Sequence, residues 1–210
     1  SIEDSRVYAS TRKATIHEDA PFARYGRHAE VALDEVDAVL IRKDPPFDQS
    51  YLYATLMLNH VRSSTFIVND PRGLREANEK LYALHFPQWT PKTYVTADAS
   101  RVRAFVDSVG GTAVIKPLDG CGGRGVLRLA SGDLNAPSII DLLSNEGHKL
   151  VMVQEFLPAV REGDKRVILL DGKVLGSIVR IPRSDDLRAN IHVGGRVEAC
   201  DLTPRERELV

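Results

Sequence analysis

The stretch that most constrains this chain is Thr112-Ala113-Val114-Ile115-Lys116-Pro117, then Leu118-Asp119-Gly120-Cys121-Gly122-Gly123-Arg124-Gly125, then Val126-Leu127-Arg128-Leu129. Two short apolar runs flank a loop with four glycines in six positions, so the segment reads strand, loop, strand. Lys116 closes the first strand and faces the loop. Glycines let successive backbone N–H groups turn toward one anion with no Cβ in the way, and a lysine adds a point charge suited to phosphate oxygens. The spacing is neither GxxxxGK[ST] nor GxGxxG, and the loop enters a strand instead of a helix, which excludes both common nucleotide loops. A long hairpin with flexible glycines is the plain alternative.

Context favours the anion. Val151-Met152-Val153-Gln154-Glu155-Phe156-Leu157-Pro158 is an apolar strand ending in an acid, an aromatic and a leucine. Such a segment offers backbone groups to the edge of a purine and apolar surface to its face. A phosphate loop and a base-binding strand end together make a nucleotide site.

The rest of the chain changes style part-way. Val7 to Ile16 alternates loosely as a strand or hairpin. Residues 37–42 and 65–69 are buried-strand runs, separated by a proline-containing loop at residues 43–48 and a helical pattern from Tyr51 to Val61. Asp70-Pro71 starts a helix, expected to run to Phe86 with an interruption near Gly73. This order is an α/β layer. Beyond it, strands are expected at Thr93–Thr96, Thr112–Pro117, Val126–Leu129, Leu150–Phe156, Arg166–Leu170 and Lys173–Ile181, the last two joined by an Asp171-Gly172 turn. Helices are expected at Ser100–Val109 and Ser138–Ser144. That half reads as α+β. The expected division is residues 1–75 and 76–210.

Composition narrows the function. The 210 residues carry a net charge of −1, against a general nucleic-acid binder, which needs excess cations to displace counterions. No apolar run approaches the roughly 20 residues of a membrane span, so no membrane partner is expected. Two cysteines, Cys121 and Cys200, make no disulfide scaffold and no zinc pattern, and a cytoplasmic setting follows as the expectation. Thr203-Pro204-Arg205-Glu206 is a capping box that announces a helix just before Val210, and the first residue is Ser. Both suggest a sequence whose flanking parts lie elsewhere.

The motifs Arg42-Lys43-Asp44-Pro45-Pro46-Phe47-Asp48, Asn78-Glu79-Lys80-Leu81, Lys116-Pro117-Leu118-Asp119-Gly120, Gly163-Asp164-Lys165-Arg166-Val167 and Arg180-Ile181-Pro182 follow one another in the order found in prokaryotic glutathione synthetases. The chain resembles that family from about Ala9 to Thr203. The resemblance implies an ATP-grasp fold preceded by a Rossmann-like pre-ATP-grasp domain, both incomplete here. It implies ligation of γ-glutamylcysteine to glycine through an acyl phosphate, with ATP and Mg²⁺. By the same resemblance Lys80 and Lys116 contact the phosphates, and the loop with Gly120, Gly122, Gly123 and Gly125 is a lid over them. Gln154, Glu155 and Leu157 hold adenine, and Asp164 reaches the ribose. Arg166, Arg180, Arg188 and Asn190 surround the dipeptide and the transferred phosphate, Arg42 belongs to the peptide wall, and residues 183–196 form a second lid. The family's magnesium ligands, an Asp and a Glu-x-Asn, are expected beyond residue 210, so no metal ligand is assigned in this chain. A homotetramer is expected. Asp44 and Asp48 read as loop caps, and Cys121 as incidental. His192, Val193 and Val197 depart from the small residues expected in the second lid. Two other readings stand beside this one: another ATP-grasp carboxylate–amine ligase of the glutamate or peptide type, and a truncated, non-catalytic nucleotide-binding fragment.

Overall fold

The computed structural model describes residues 1–43, 46–183 and 194–210. The chain divides into two compact units, Ser1–Tyr82 and Ala83–Val210.

In the first unit, β1 (Ile2–Glu3), β2 (Arg6–Ile16) and β3 (Ala23–Ala32) form an antiparallel sheet that is largely a long two-stranded ribbon. Gly26 and Arg27 together oppose Lys13, a bulge that increases its twist. Its base is tied down where Arg6 donates to Asp34 at 2.8 Å and to Glu35 at 2.7 Å, which holds the Asp34 carboxyl below its ordinary range. The α/β layer follows: β4 (Ala38–Leu40), α1 (Gln49–Leu58), β5 (Phe66–Val68) and α2 (Pro71–Glu76), with β4 and β5 parallel. Asp48 caps α1 by accepting from Tyr51 N–H at 2.8 Å, and Asp70 caps α2 by accepting from Arg72 and Gly73 N–H.

The helix expected to reach Phe86 stops at Glu76. The Asn78 side-chain oxygen accepts from the N–H groups of Lys80 and Leu81, both at 3.1 Å. That offers the backbone a local alternative to helix, and only short 3₁₀ turns follow at Tyr82–His85 and Pro87–Trp89. Gly73 is no interruption; it lies inside α2.

The second unit contains β6 (Thr93–Thr96), α3 (Ala99–Ser108), β7 (Thr112–Pro117), β8 (Leu127–Ala130), α4 (Ala136–Ser144) and β9 (Val151–Glu155). The strands make one antiparallel sheet in the order β6-β9-β7-β8. Because side chains alternate across a strand, Ala113, Ile115, Leu129, Val151 and Val153 share one face. They are fully buried against Val102, Val106 and Ile140 of the two helices. A second antiparallel sheet follows: β10 (Asp164–Leu170), β11 (Lys173–Ile181) and β12 (Arg196–Ala199). The chain ends with α5 (Pro204–Arg207), whose Thr203–Glu206 capping box is formed. This short helix is anchored by Lys165 Nζ on Glu206 at 2.7 Å and by the Arg205 guanidinium 5.1 Å from the Trp89 ring centre.

Candidate active site

The face of the β6-β9-β7-β8 sheet opposite α3 and α4 carries two of the residues read as nucleotide contacts, Lys116 and Gln154, whereas Glu155 alternates to the other face. Thr93, Gln154, Val114 and Arg128 lie in one row across four strands, and Lys116 lies two residues along from Val114 on the same face. Gln154 is oriented by donating from its side-chain amide to the Thr93 hydroxyl at 2.8 Å. Met152, beside Lys116 on that face, is 1% exposed.

Arg128 went unrecognised in the sequence. It lies diagonally from Lys116 on the same face, two residues along from the Val114–Arg128 pair, and its guanidinium lies 5.5 Å from the Phe156 ring centre. Among the described residues no carboxylate within ion-pair distance of it is present. Its signal was the alternation Val126-Leu127-Arg128-Leu129, which puts a cation on the face opposite a buried leucine.

The glycine loop joins β7 to β8, as expected. Glycine is obligatory at Gly120 and Gly125, because a Cβ at either would come within 3.0 Å of the Pro117 ring. Two loop amides are engaged internally: Arg124 N–H donates to Cys121 and Val126 N–H to Gly123. Gly122 and Gly123 have positive φ. At the far end of the sheet, Glu155 N–H donates to Lys92, and the Leu157 carbonyl accepts from Val160 N–H.

The second sheet gathers another set. Asp164 lies directly opposite Arg180, and Arg166 opposite Ile178, so Asp164, Arg166 and Arg180 share one face. Arg180 donates to both carboxylate oxygens of Asp164, at 2.7 and 2.6 Å. Lys165 projects from the other face to Glu206, which draws the Glu206 carboxyl down to about 2, first through the Lys165 hydrogen bond and then through Thr203 N–H.

In the first unit, Lys80 is nearly enclosed, its side chain 10% exposed and its Nζ 3.9 Å from Glu79. Arg42 is exposed just past β4. Arg188, Asn190, Asp44, His192 and Val193 lie outside the described residues. Among the described residues no cluster of three or more His, Cys, Asp or Glu side chains could hold a metal ion, and no helix is long and apolar enough to cross a membrane.

The architecture is that of ATP-grasp proteins. D-cycloserine synthetase DcsG superposes with a TM-score of 0.66 over 85% of this chain and 64% of that one, at 19% identity. An ATP-grasp ligase, PsnB, solved with a phosphomimetic precursor variant, Mg and ADP, gives a TM-score of 0.59 over 94% of this chain and 68% of that one, also at 19% identity. Within that class the chain belongs to the prokaryotic glutathione synthetase family, whose N-terminal domain model matches residues 1–75 and whose ATP-grasp domain model matches residues 79–210. The glutathione synthetase of Thermosynechococcus vestitus is 50% identical over 178 residues, 84% of this chain and 56% of that protein. That of Gloeobacter violaceus is 44% identical over 215 aligned positions, 99% of this chain and 66% of that protein. The chain thus spans between half and two thirds of the length of these relatives.

Proposed function

We propose that the protein joins γ-glutamylcysteine to glycine at the expense of ATP. The observation that carries this reading furthest is the face shared by Lys116, Gln154 and Arg128 on the side of the sheet away from α3 and α4, within a chain whose relatives are glutathione synthetases.

A carboxylate oxygen of the cysteinyl residue attacks the γ-phosphorus, the bond to the β–γ bridging oxygen breaks, and ADP leaves. The glycine amine then attacks the acyl carbon, the carbon–phosphate bond breaks, phosphate leaves with the former carboxylate oxygen, and the amine proton passes to solvent. Every step brings anions together, so the protein's task is to neutralise charge and exclude water. Lys116 and Lys80 serve the phosphates. Gly120, Gly122, Gly123 and Gly125 shape the lid above them. Gln154, Glu155 and Leu157 serve the adenine. Arg166 and Arg180, with Arg188 and Asn190, serve the dipeptide carboxylates and the transferred phosphoryl group, and Arg42 serves the peptide wall. Magnesium, when bound, would neutralise phosphate charge. Among the described residues no group of three or more His, Cys, Asp or Glu could hold it. A homotetramer in the cytoplasm belongs to the same reading, and Cys121 and Cys200, neither of them in a disulfide, accord with a reducing compartment.

Phosphate release tests this reading. Release requiring ATP, γ-glutamylcysteine and glycine together is the expected result. Release requiring glutamate and a peptide instead would replace it with the related ligase, and nucleotide binding without turnover would replace it with a non-catalytic role.

A further inference from the structure

The geometry points to Asp164 as the residue that positions Arg180 for an oxyanion. The two face each other at the first register position of the β10–β11 pair. Gly163, just before, has φ +120°, and a Cβ there would lie 2.8 Å from the Arg180 carbonyl oxygen. The absence of a side chain is what lets β10 begin so close to β11 and bring the carboxylate under the guanidinium.

The pairing is side-on. Nε and Nη2 of Arg180 donate one hydrogen each to Oδ1 and Oδ2 of Asp164. Of the five guanidinium donors, this leaves both Nη1 hydrogens and one Nη2 hydrogen on the far side, the arrangement that receives a carboxylate or phosphoryl group bidentately. The Arg180 side chain is only 12% exposed, whereas Asp164 is 45% exposed. The buried partner is thus the arginine, held in one orientation with its free end defined. Arg166, two residues from Asp164 on the same face, adds a second cation with no ion-pair partner among the described residues, so the face keeps a net positive charge after Asp164 is counted.

The family resemblance gives Asp164 to the ribose. Here both its oxygens are on Arg180, so it acts first through that arginine, which makes it a positioning residue. The ligand is an oxyanion, either the dipeptide carboxylate or a nucleotide phosphate. The inference rests on the ligase reading of the site.

A double-mutant cycle on ligand binding, with ADP, 2′-deoxyadenosine diphosphate and γ-glutamylcysteine plus ADP as separate probes, tests it. Asp164→Asn is expected to weaken binding of the oxyanion ligand by about tenfold, and to cost nothing further once Arg180→Lys is present. If the oxyanion is the dipeptide carboxylate, the loss appears only with γ-glutamylcysteine; if it is a phosphate, ADP and its deoxy analogue lose affinity equally. Asp164→Glu, which keeps the charge, recovers part of the loss, which guards against a variant that merely folds poorly. Additive effects, or a loss confined to ADP and absent for the deoxy analogue, would overturn the inference and return Asp164 to the ribose. A parent protein that binds none of these probes would instead defeat the ligase reading itself.

Discussion

The Gln154 side-chain amide donates to the Thr93 hydroxyl at 2.8 Å across the β6–β9 pair. This fixes which way the amide points on the face shared with Lys116. Replacing Thr93 by Val keeps the shape and removes the acceptor, so Gln154 loses its orientation. ATP affinity should fall roughly three- to tenfold, the scale of one hydrogen bond, with the unfolding midpoint little changed. Calorimetric titration with ATP checks both the size and the sign.

Lys116 is the cation at the loop end of β7. Lys116→Ala should weaken ATP binding by roughly ten- to a hundredfold, as expected for losing a charge-assisted phosphate contact. Adenosine, which has no phosphate, should bind the variant as well as the parent. Unchanged ATP affinity in titration would remove Lys116 from the site.

Glu206 links α5 to β10 through Lys165, and its carboxyl sits near 2 instead of its ordinary 4.5. A depressed folded-state value means the group stabilises the fold at pH above 4.5. That stabilisation is lost as pH falls from about 4.5 through about 2. Thermal unfolding from neutral pH down through this range should show Glu206→Gln less stable than the parent at neutral pH, with the difference vanishing as the parent's Glu206 carboxyl is protonated.

Ile140 of α4 is fully buried in the cluster between helices and sheet. Ile140→Ala should lower stability by about 2–5 kcal/mol through lost transfer energy and the cavity left behind, measured by urea denaturation. A smaller loss would mean that α4 collapses onto the sheet more readily than close packing allows.

Legibility in the sequence followed how local the determining physics was. The glycine loop and its flanking strands were readable because Lys116, the glycines and the apolar runs are contiguous. The helix caps at Asp70 and Thr203 were readable because each is a short-range signal, whereas Asp48, read as a loop cap, caps α1. The helix beyond Glu76 was misread because apolar residues at Ala77, Leu81 and Leu84 continue a helical period, while the decisive contact is the Asn78 side chain on its own backbone. Strand β12 was missed because Arg196–Ala199 has no apolar run; only pairing with β11 makes it a strand. The place of Arg128 beside Lys116 depends on the β7–β8 register, and the Asp164–Arg180 contact on the β10–β11 register. Register is a tertiary property that one-dimensional patterns leave open.

The proposed ligation requires an acyl phosphate. The direct measurement is turnover of γ-glutamylcysteine whose cysteinyl carboxylate carries heavy oxygen, followed by mass analysis of the phosphate released in the presence of ATP and glycine. One heavy oxygen in each phosphate is the result expected. Phosphate carrying only oxygen from ATP and water would mean that the nucleotide is hydrolysed without activating the carboxylate, and would contradict it.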